Sequence, residues 1–177
     1  LLNFPYTVEE VILLGRIPHD TGRRRDLEIV EEVMRLTDTS ELANRLYTRL
    51  SGGEKQRTQL ARVFAQVAGA TTLDGQLLLL DEPTSALDLA HQQQVLETVR
   101  VLADRGCAIV LAIHDLNLAA TVAEQLLVLD QGRQVAHGSP EAVLTPAMLR
   151  SVFGVEVTVG RHPTAGHPMV FPGAAPR

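Results

Sequence analysis

The chain has 177 residues, of which 45% are hydrophobic and 21% are charged, and its formal net charge is -5. This length suits about one domain of ordinary globular composition, and the acidic balance argues against a non-specific nucleic-acid binder. The single cysteine, Cys107, cannot form an internal disulfide, which suits a reducing compartment, and no apolar stretch reaches the roughly 18 residues of a membrane span.

Residues 1–49 predict a mainly helical segment. Thr7 and Glu10 have the spacing of a capping box before an apolar run, and Asp26 is placed to cap a second helix. The chain begins with Leu1 rather than Met and reads as mid-domain sequence from its first residues. We therefore expect a C-terminal fragment of a longer protein.

The stretch from Leu50 to Gln66 has the most specific pattern. It opens with Ser51–Glu54, a second capping box, and continues with apolar residues at helical spacing. Two glycines at a helix start leave the first amides uncovered, which favours an anion, and the serine hydroxyl adds a donor. The alternative is a helix cap with no ligand.

Leu77–Leu80 is an unbroken apolar run that ends in Asp81 and Glu82. Such a run predicts a strand covered on both faces, as in a parallel sheet. A carboxylate at the end of a buried strand is costly unless it is paired or near a metal, and Mg²⁺ accepts one or two carboxylates with waters and phosphates. A second carboxylate can orient or deprotonate a water. The alternative is a strand end that meets solvent.

The remaining elements alternate between helix and strand. The pattern predicts a helix over Leu89–Asp104, a second buried strand over Cys107–Ile113 that ends at His114, and a helix capped by Asp115. A hairpin around Gln131-Gly132, two short helices, one short strand and a Pro/Gly-rich tail follow. This order indicates a parallel α/β core, whose ligands bind beyond the carboxyl ends of the strands. A purely structural histidine is the alternative for His114.

These segments together resemble the ATP-binding subunits of ABC transporters. Leu50–Arg57 (LSGGEKQR) resembles the ABC signature, Leu77–Pro83 resembles Walker B with its glutamate, Ser85–Asp88 the D-loop, and His114-Asp115 the H-loop. The resemblance implies an α/β fold: a P-loop NTPase-like ABC ATPase core, with a parallel sheet and flanking helices, plus a helical subdomain. Residues 1–49 would form most of the helical subdomain, 50–138 the signature, Walker B, D-loop and H-loop part, and 139–177 the C-terminal helices, short strand and tail.

The same resemblance assigns roles to particular residues, with ATP and Mg²⁺ as the cofactors. Asp81 would hold Mg²⁺ through water, while Glu82 would act on the attacking water and His114 on the γ-phosphate. Residues that would bind ATP held by the opposite subunit, or link the two sites, are Ser51, Gly52, Gly53, Glu54 and Asp88.

One part of the family pattern is absent from the sequence. No Gly-x-x-x-x-Gly-Lys-Ser/Thr motif (Walker A) occurs, and the single lysine, Lys55, belongs to the signature. The Q-loop glutamine and the adenine-stacking aromatic residue cannot be assigned either. We expect the isolated chain to be inactive as an ATPase.

A narrower resemblance concerns the transported substrate. Phe4–Val11 with Gly15-Arg16 is similar to importer ATPases for iron chelates, haem and vitamin B12, and Ser85–Gln92 and Phe153–Val157 resemble the haem branch. This implies a homodimer on the cytoplasmic face of the bacterial inner membrane, with transmembrane permease subunits, an indirect periplasmic substrate-binding protein and no nucleic acid.

Three alternatives to a haem importer subunit stay open. They are the ATPase of a siderophore or vitamin B12 importer, a soluble ABC protein acting on ribosomes or DNA, and a non-catalytic module that pairs with a complete subunit. A haem-ligand function for the histidines is disfavoured, because in this family the substrate passes through the membrane partners.

Overall fold

The computed structural model describes residues 5–70 and 72–173. Phe4, part of the importer-like motif, and the end of the tail, 174–177, lie outside the described residues. The chain divides into two compact units, Leu1–Ala112 and Ile113–Arg177, which are described separately. No helix in the described part is long and apolar enough to cross a membrane.

The first unit begins with a helical segment, as predicted for residues 1–49. Helices α1 (Val8–Leu13) and α2 (Arg23–Leu36) pack against α3 (Gly52–Val67). The capping box of α1 is present: the Thr7 amide donates to Glu10 at 2.8 Å and the Glu10 amide donates to the Thr7 hydroxyl at 3.2 Å. Short 3₁₀ turns occupy Leu14–Arg16, Ser40–Leu42 and Tyr47–Arg49. The apolar stripes of the three helices form the buried core, which includes Val8, Val11, Ile12, Ile29, Val30, Val33 and Phe64.

Gly15 and Arg16 fix the segment after α1 against α3. A Cβ on Gly15 would lie 2.2 Å from the carbonyl oxygen of Arg62, so only glycine fits at this contact. The Arg16 side chain is 3% exposed and donates to the carbonyl oxygens of Ala65 (2.7 Å) and Ala68 (3.1 Å). A guanidinium therefore satisfies carbonyl groups at the carboxyl end of α3.

The expected cap of α2 by Asp26 is wrong. Helix α2 begins at Arg23 after Gly22, whose φ of 81° suits glycine, so Asp26 lies inside the first turn. Its carboxylate instead accepts from the Thr21 hydroxyl at 2.6 Å and from Arg16 at 3.0 Å. These bonds, the Thr21 bond foremost, hold the pKa of Asp26 below its ordinary value.

A β–α–β unit completes the first unit: β1 (Leu77–Asp81), α4 (Leu89–Asp104) and β2 (Ala108–Ala112). The strands are parallel, as predicted, and the pairing runs from Leu77 opposite Ala108 to Asp81 opposite Ala112. Val95, Leu96, Val99 and Leu102 form the buried stripe of α4.

The prediction that β1 is covered on both faces is wrong for the described residues. Leu78 and Leu80 are buried, but Leu77 is 60% exposed and Leu79 is 66% exposed. Alternate side chains of a strand point to opposite faces, so one face is packed and the other is open. Val110, paired with Leu79, is exposed too, which extends the open apolar face across both strands.

The second unit contains α5 (Leu116–Val122), then a hairpin of β3 (Leu126–Asp130) and β4 (Arg133–Gly138). Gln131 (φ 48°) and Gly132 (φ 75°) turn the hairpin, as a two-residue loop requires. Ser139 and Thr145 then cap the two predicted short helices, α6 (Pro140–Val143) and α7 (Pro146–Phe153).

The end of the second unit has one more strand than the sequence predicted. Both β5 (Val157–Arg161) and β6 (Pro168–Pro172) are present, paired antiparallel. Proline lies only at the two ends of β6, where the loss of an amide donor is tolerated. Asn117 of α5 holds this strand, since its side chain accepts from the Val170 amide at 2.7 Å and donates to the Val170 carbonyl at 3.1 Å.

Candidate functional site

The amino end of α3 is built by a reciprocal cap. Ser51 precedes the helix; its amide donates to the Glu54 carboxylate at 2.7 Å, and the Glu54 amide donates to the Ser51 hydroxyl oxygen at 3.3 Å. Arg45 also contacts Glu54 at 2.8 Å. The bond from the Ser51 amide is the main reason that the pKa of Glu54 is lowered. Glu54 is therefore an ionised capping group that shapes the helix start.

The two glycines of this turn meet different surroundings. A Cβ on Gly53 would lie 3.2 Å from the carbonyl oxygen of Ala86, whereas a Cβ on Gly52 would meet nothing within 4 Å. Packing inside the described chain does not require a glycine at position 52. The first amides of a helix have no intrahelical partner, so this turn presents donors next to open space.

The carboxyl end of β1 presents two consecutive carboxylates. Asp81 is the last residue of the strand and is exposed. Glu82 follows with a φ of 46°, an uncommon conformation for a residue with a side chain, and its amide donates to Ala112 at 2.9 Å. Non-glycine residues at positive φ persist where their surroundings enforce them, often at functional sites.

The backbone of Glu82 is held from two sides. The Gln56 side chain donates to the carbonyl oxygens of Glu82 (3.4 Å) and Pro83 (3.3 Å). Ser85 donates to the same Glu82 carbonyl from its hydroxyl at 3.1 Å and its amide at 3.3 Å. Helix α3 and the loop after β1 therefore fix the turn that carries Glu82.

The loop from Glu82 to Asp88 is also tied to α4. Gln92 donates to the carbonyl oxygens of Thr84 (3.3 Å) and Leu87 (3.2 Å), and both of these residues are buried. Sequence reasoning assigned no role to Gln56 or Gln92. The sequence does not indicate these roles, because glutamine is common in helices and its hydrogen-bond partners here lie in another element.

Asp88 is the N-cap residue of α4, and its carboxylate accepts two hydrogen bonds from His91. The amide of His91 lies 3.0 Å and its ring Nδ1 lies 2.7 Å from Asp88 Oδ1. These two bonds, the amide bond foremost, lower the pKa of Asp88. Leu89, the next residue, is 83% exposed, so the start of α4 presents an apolar side chain beside an ionised carboxylate.

The predicted site residues fall in both units. Ser51, Gly52, Gly53, Glu54, Asp81, Glu82 and Asp88 lie in the first unit, and His114 lies in the second, just after β2 ends. Asp115 caps α5 by accepting from the amides of Asn117 (2.8 Å) and Leu118 (3.1 Å).

The donor set at the end of β1 fits a magnesium ion that is bound mostly by water and phosphate. Asp81 offers an exposed carboxylate, and Mg²⁺ in proteins commonly takes only one or two. The described residues contain no group of three or more His, Cys, Asp or Glu arranged to hold a metal alone. An exposed carboxylate of this kind is compatible with a divalent cation whose other ligands are water or phosphate.

Comparison with known proteins identifies relatives along almost the whole chain. A family model described as ABC transporter matches residues 3–85. The hemin import ATP-binding protein HmuV of Pseudomonas entomophila (strain L48) is 52% identical over 96% of this chain and 66% of its own length. HmuV of Vibrio cholerae serotype O1 is 46% identical over 97% of this chain and 66% of its own length. The chain thus spans just under two thirds of these relatives.

Solved structures of ABC transporter proteins also match the chain. A structure described as an inward-facing metal-chelate type ABC transporter matches with a TM-score of 0.78 and 27% identity, over 98% of this chain and 70% of its own. An ATP-binding subunit of an ABC transporter matches with a TM-score of 0.69 over 87% of this chain and 59% of its own, and at 22% identity it supports the fold alone. The signature-like helix start, the β–α–β unit and these relatives together show that the chain belongs to the ABC transporter family of ATP-binding proteins.

Proposed function

We propose that this chain forms the signature, Walker B and D-loop part of an ATPase that drives an importer. The observation that carries the proposal is the pair Asp81-Glu82 at the end of β1, with the Glu82 backbone held at positive φ by contacts from Gln56 and Ser85. A rigidly placed carboxylate at a strand end is suited to position a water beside a phosphate.

The proposed roles follow the chemistry of each group. Asp81 holds magnesium through water, and Glu82 orients the attacking water and takes its proton. His114 contacts the γ-phosphate, for which an imidazole is a suitable donor. Magnesium, when bound with ATP, supplies positive charge near the phosphate oxygens.

The helix start at Ser51 is proposed to bind the γ-phosphate of ATP held by a second copy. Its uncovered amides and the serine hydroxyl are donors, and the helix dipole favours an anion there. The open space beside Gly52 supports this proposal, because no residue of the described chain uses it. Glu54 contributes by holding the cap, and Asp88 by linking the two nucleotide sites of the dimer.

Haem is the proposed cargo, because relatives at 46–52% identity are named hemin import ATP-binding proteins. A second candidate is a different iron chelate, favoured by the similarity to a metal-chelate type transporter. In either case the ATPase works as a homodimer on the cytoplasmic face of the inner membrane. It couples to permease subunits and, through them, to a periplasmic binding protein.

Phosphate release by the full-length gene product, compared with its Glu82→Gln variant, tests the proposed ATPase. Glutamine keeps the size of the side chain but cannot take a proton, so we expect turnover to fall by about 10²–10⁴-fold with ATP binding retained. Near-normal release by the variant would remove Glu82 from this role.

The isolated 177-residue chain provides the second arm of this test. We expect no magnesium-dependent phosphate release above its own Glu82→Gln variant, because the phosphate-binding loop motif does not occur in it. Uptake of haem and of a ferric siderophore by cells that carry the gene, compared with cells that lack it, separates the two candidate cargoes.

A further inference from the structure

His91 lies between two carboxylates that come from different parts of the first unit. Its ring Nδ1 is 2.7 Å from Asp88 Oδ1, and its Nε2 is 3.4 Å from Asp38 Oδ2. The His91 side chain is only 22% exposed. Asp88 starts α4, whereas Asp38 follows the end of α2.

The two contacts place a requirement on the hydrogen-bonding roles of the ring nitrogens. An ionised carboxylate can only accept hydrogen bonds, so each ring nitrogen must donate to make its contact. A neutral imidazole has one N–H, and only the imidazolium form has two. Asp88 is ionised under ordinary conditions, because hydrogen bonds from His91 lower its pKa. With both carboxylates ionised, the two contacts form together only when both ring nitrogens carry a proton.

The partners of His91 connect the D-loop to the helical segment. Asp88 is the last residue of the loop that begins at Glu82. Gln92 holds this loop through two hydrogen bonds. Asp38 has a φ of 50° and lies in the turn between α2 and the 3₁₀ turn Ser40–Leu42. A single side chain thus joins the loop beside the proposed catalytic carboxylate to a turn more than 50 residues earlier in the chain.

We propose that His91 is a positioning residue that fixes Asp88 and ties the proposed D-loop to the turn after α2. This inference rests on the proposed ATPase. Its consequence is that ATP turnover depends on Asp38, although Asp38 has no assigned role in the nucleotide site. The contact to Asp38, at 3.4 Å, is the longer and weaker of the two.

Substitutions at Asp38 test the link without disturbing the backbone. Asp38→Gly removes the carboxylate at a φ where glycine is free of strain, and Asp38→Asn keeps an acceptor but removes the charge. Glu41→Gln, at an exposed carboxylate nearby, is the matched control. His91→Asn keeps a donor near the Nδ1 position and leaves nothing to reach Asp38.

The first measurement uses hydrogen–deuterium exchange on the 177-residue chain. We expect Asp38→Gly to reduce protection of the His91 amide several-fold and Asp38→Asn to reduce it less. Unchanged protection in Asp38→Gly, or an equal effect of Glu41→Gln, overturns the proposal.

The second measurement uses ATP turnover by the full-length gene product. Asp38→Gly and His91→Asn should each lower kcat by about two- to fivefold with an unchanged KM, the size expected for a part-exposed charge pair. The double variant should be no slower than the slower single variant, because both remove one link. Additive losses overturn the proposal. If the unsubstituted full-length protein shows no ATP turnover, the proposed ATPase function is wrong. The hydrogen–deuterium exchange measurement then still decides whether His91 links Asp88 to Asp38.

Discussion

The side-chain amide of Gln56 donates to the carbonyl oxygen of Glu82 at 3.4 Å, which joins the signature helix to the turn that carries the proposed general base. Gln56 lies one turn into α3, and the same amide reaches Pro83 at 3.3 Å. Gln56 therefore links the first turns of α3 directly to the backbone of Glu82.

Gln56→Ala should destabilise the chain by about 1–2 kcal/mol, because two carbonyl oxygens lose a part-buried donor. Urea unfolding measures the effect. Gln66→Ala, at an exposed position near the other end of α3, is the matched control and should lie within about 0.5 kcal/mol of the parent. Equal losses in the two variants would mean that the bonds from Gln56 contribute nothing.

Gly15→Ala should destabilise the first unit by about 1–3 kcal/mol, the usual effect of overpacking. The added Cβ would lie 2.2 Å from the Arg62 carbonyl oxygen, and backbone cannot move aside as a flexible side chain does. Thermal unfolding followed by circular dichroism checks this. An unchanged midpoint would show that the Leu14–Arg16 turn can move away from α3 without loss of stability.

Gly52→Ala should leave the isolated chain as stable as the parent or raise its stability by up to about 1 kcal/mol, because alanine favours the helix and meets no atom within 4 Å. In the full-length gene product the same methyl group should weaken ATP-dependent dimerisation, measured by sizing with and without ATP. Normal dimerisation would contradict a phosphate site at this turn.

Asp26→Asn should reduce stability at neutral pH, and this difference should shrink in acid. The folded-state pKa of Asp26 lies below the unfolded value, so its contribution is present above the unfolded pKa and is lost as pH falls through the folded pKa. Unfolding free energies of parent and variant at several pH values, from neutral to about pH 3, give the test. A difference in unfolding free energy that does not change with pH would mean that the charge of the Asp26 carboxylate does not stabilise the fold.

A cysteine introduced at Ile17 should crosslink to the permease subunit. Ile17 is 74% exposed, and the proposed helical subdomain is the part expected to face the membrane partner. The neighbouring Arg16 is unsuitable because it is buried against α3. A cysteine at Val135, exposed in the second unit, is the control; crosslinking only from that position would exclude the helical segment as the docking surface.

Local signals predicted much of the fold because they depend on nearby residues. The capping boxes at Thr7 and Ser51, the bounds of α4 and the parallel pairing of β1 with β2 are confirmed. Asp26 was misassigned because α2 begins earlier, directly after Gly22. Its carboxylate instead accepts from the buried Arg16, a contact that no local sequence pattern specifies.

The remaining differences concern long-range partners. Strand β6 carries proline at both ends and is held by an asparagine more than 50 residues earlier, so its own sequence resembles a tail. The burial of β1 depends on what covers each face, which an apolar run alone cannot specify. The contacts of Gln56, Gln92 and His91 likewise join separate elements, and the roles of Asp81, Glu82 and His114 stay predictions.

The open face of the β1–β2 pair determines how this chain behaves as a separate molecule. Leu77, Leu79 and Val110 offer adjacent aliphatic side chains to water, the kind of surface that dyes such as anilinonaphthalene sulfonate and holdase chaperones recognise. We therefore expect the separate chain to bind such a dye and to associate more readily at high protein concentration and high salt.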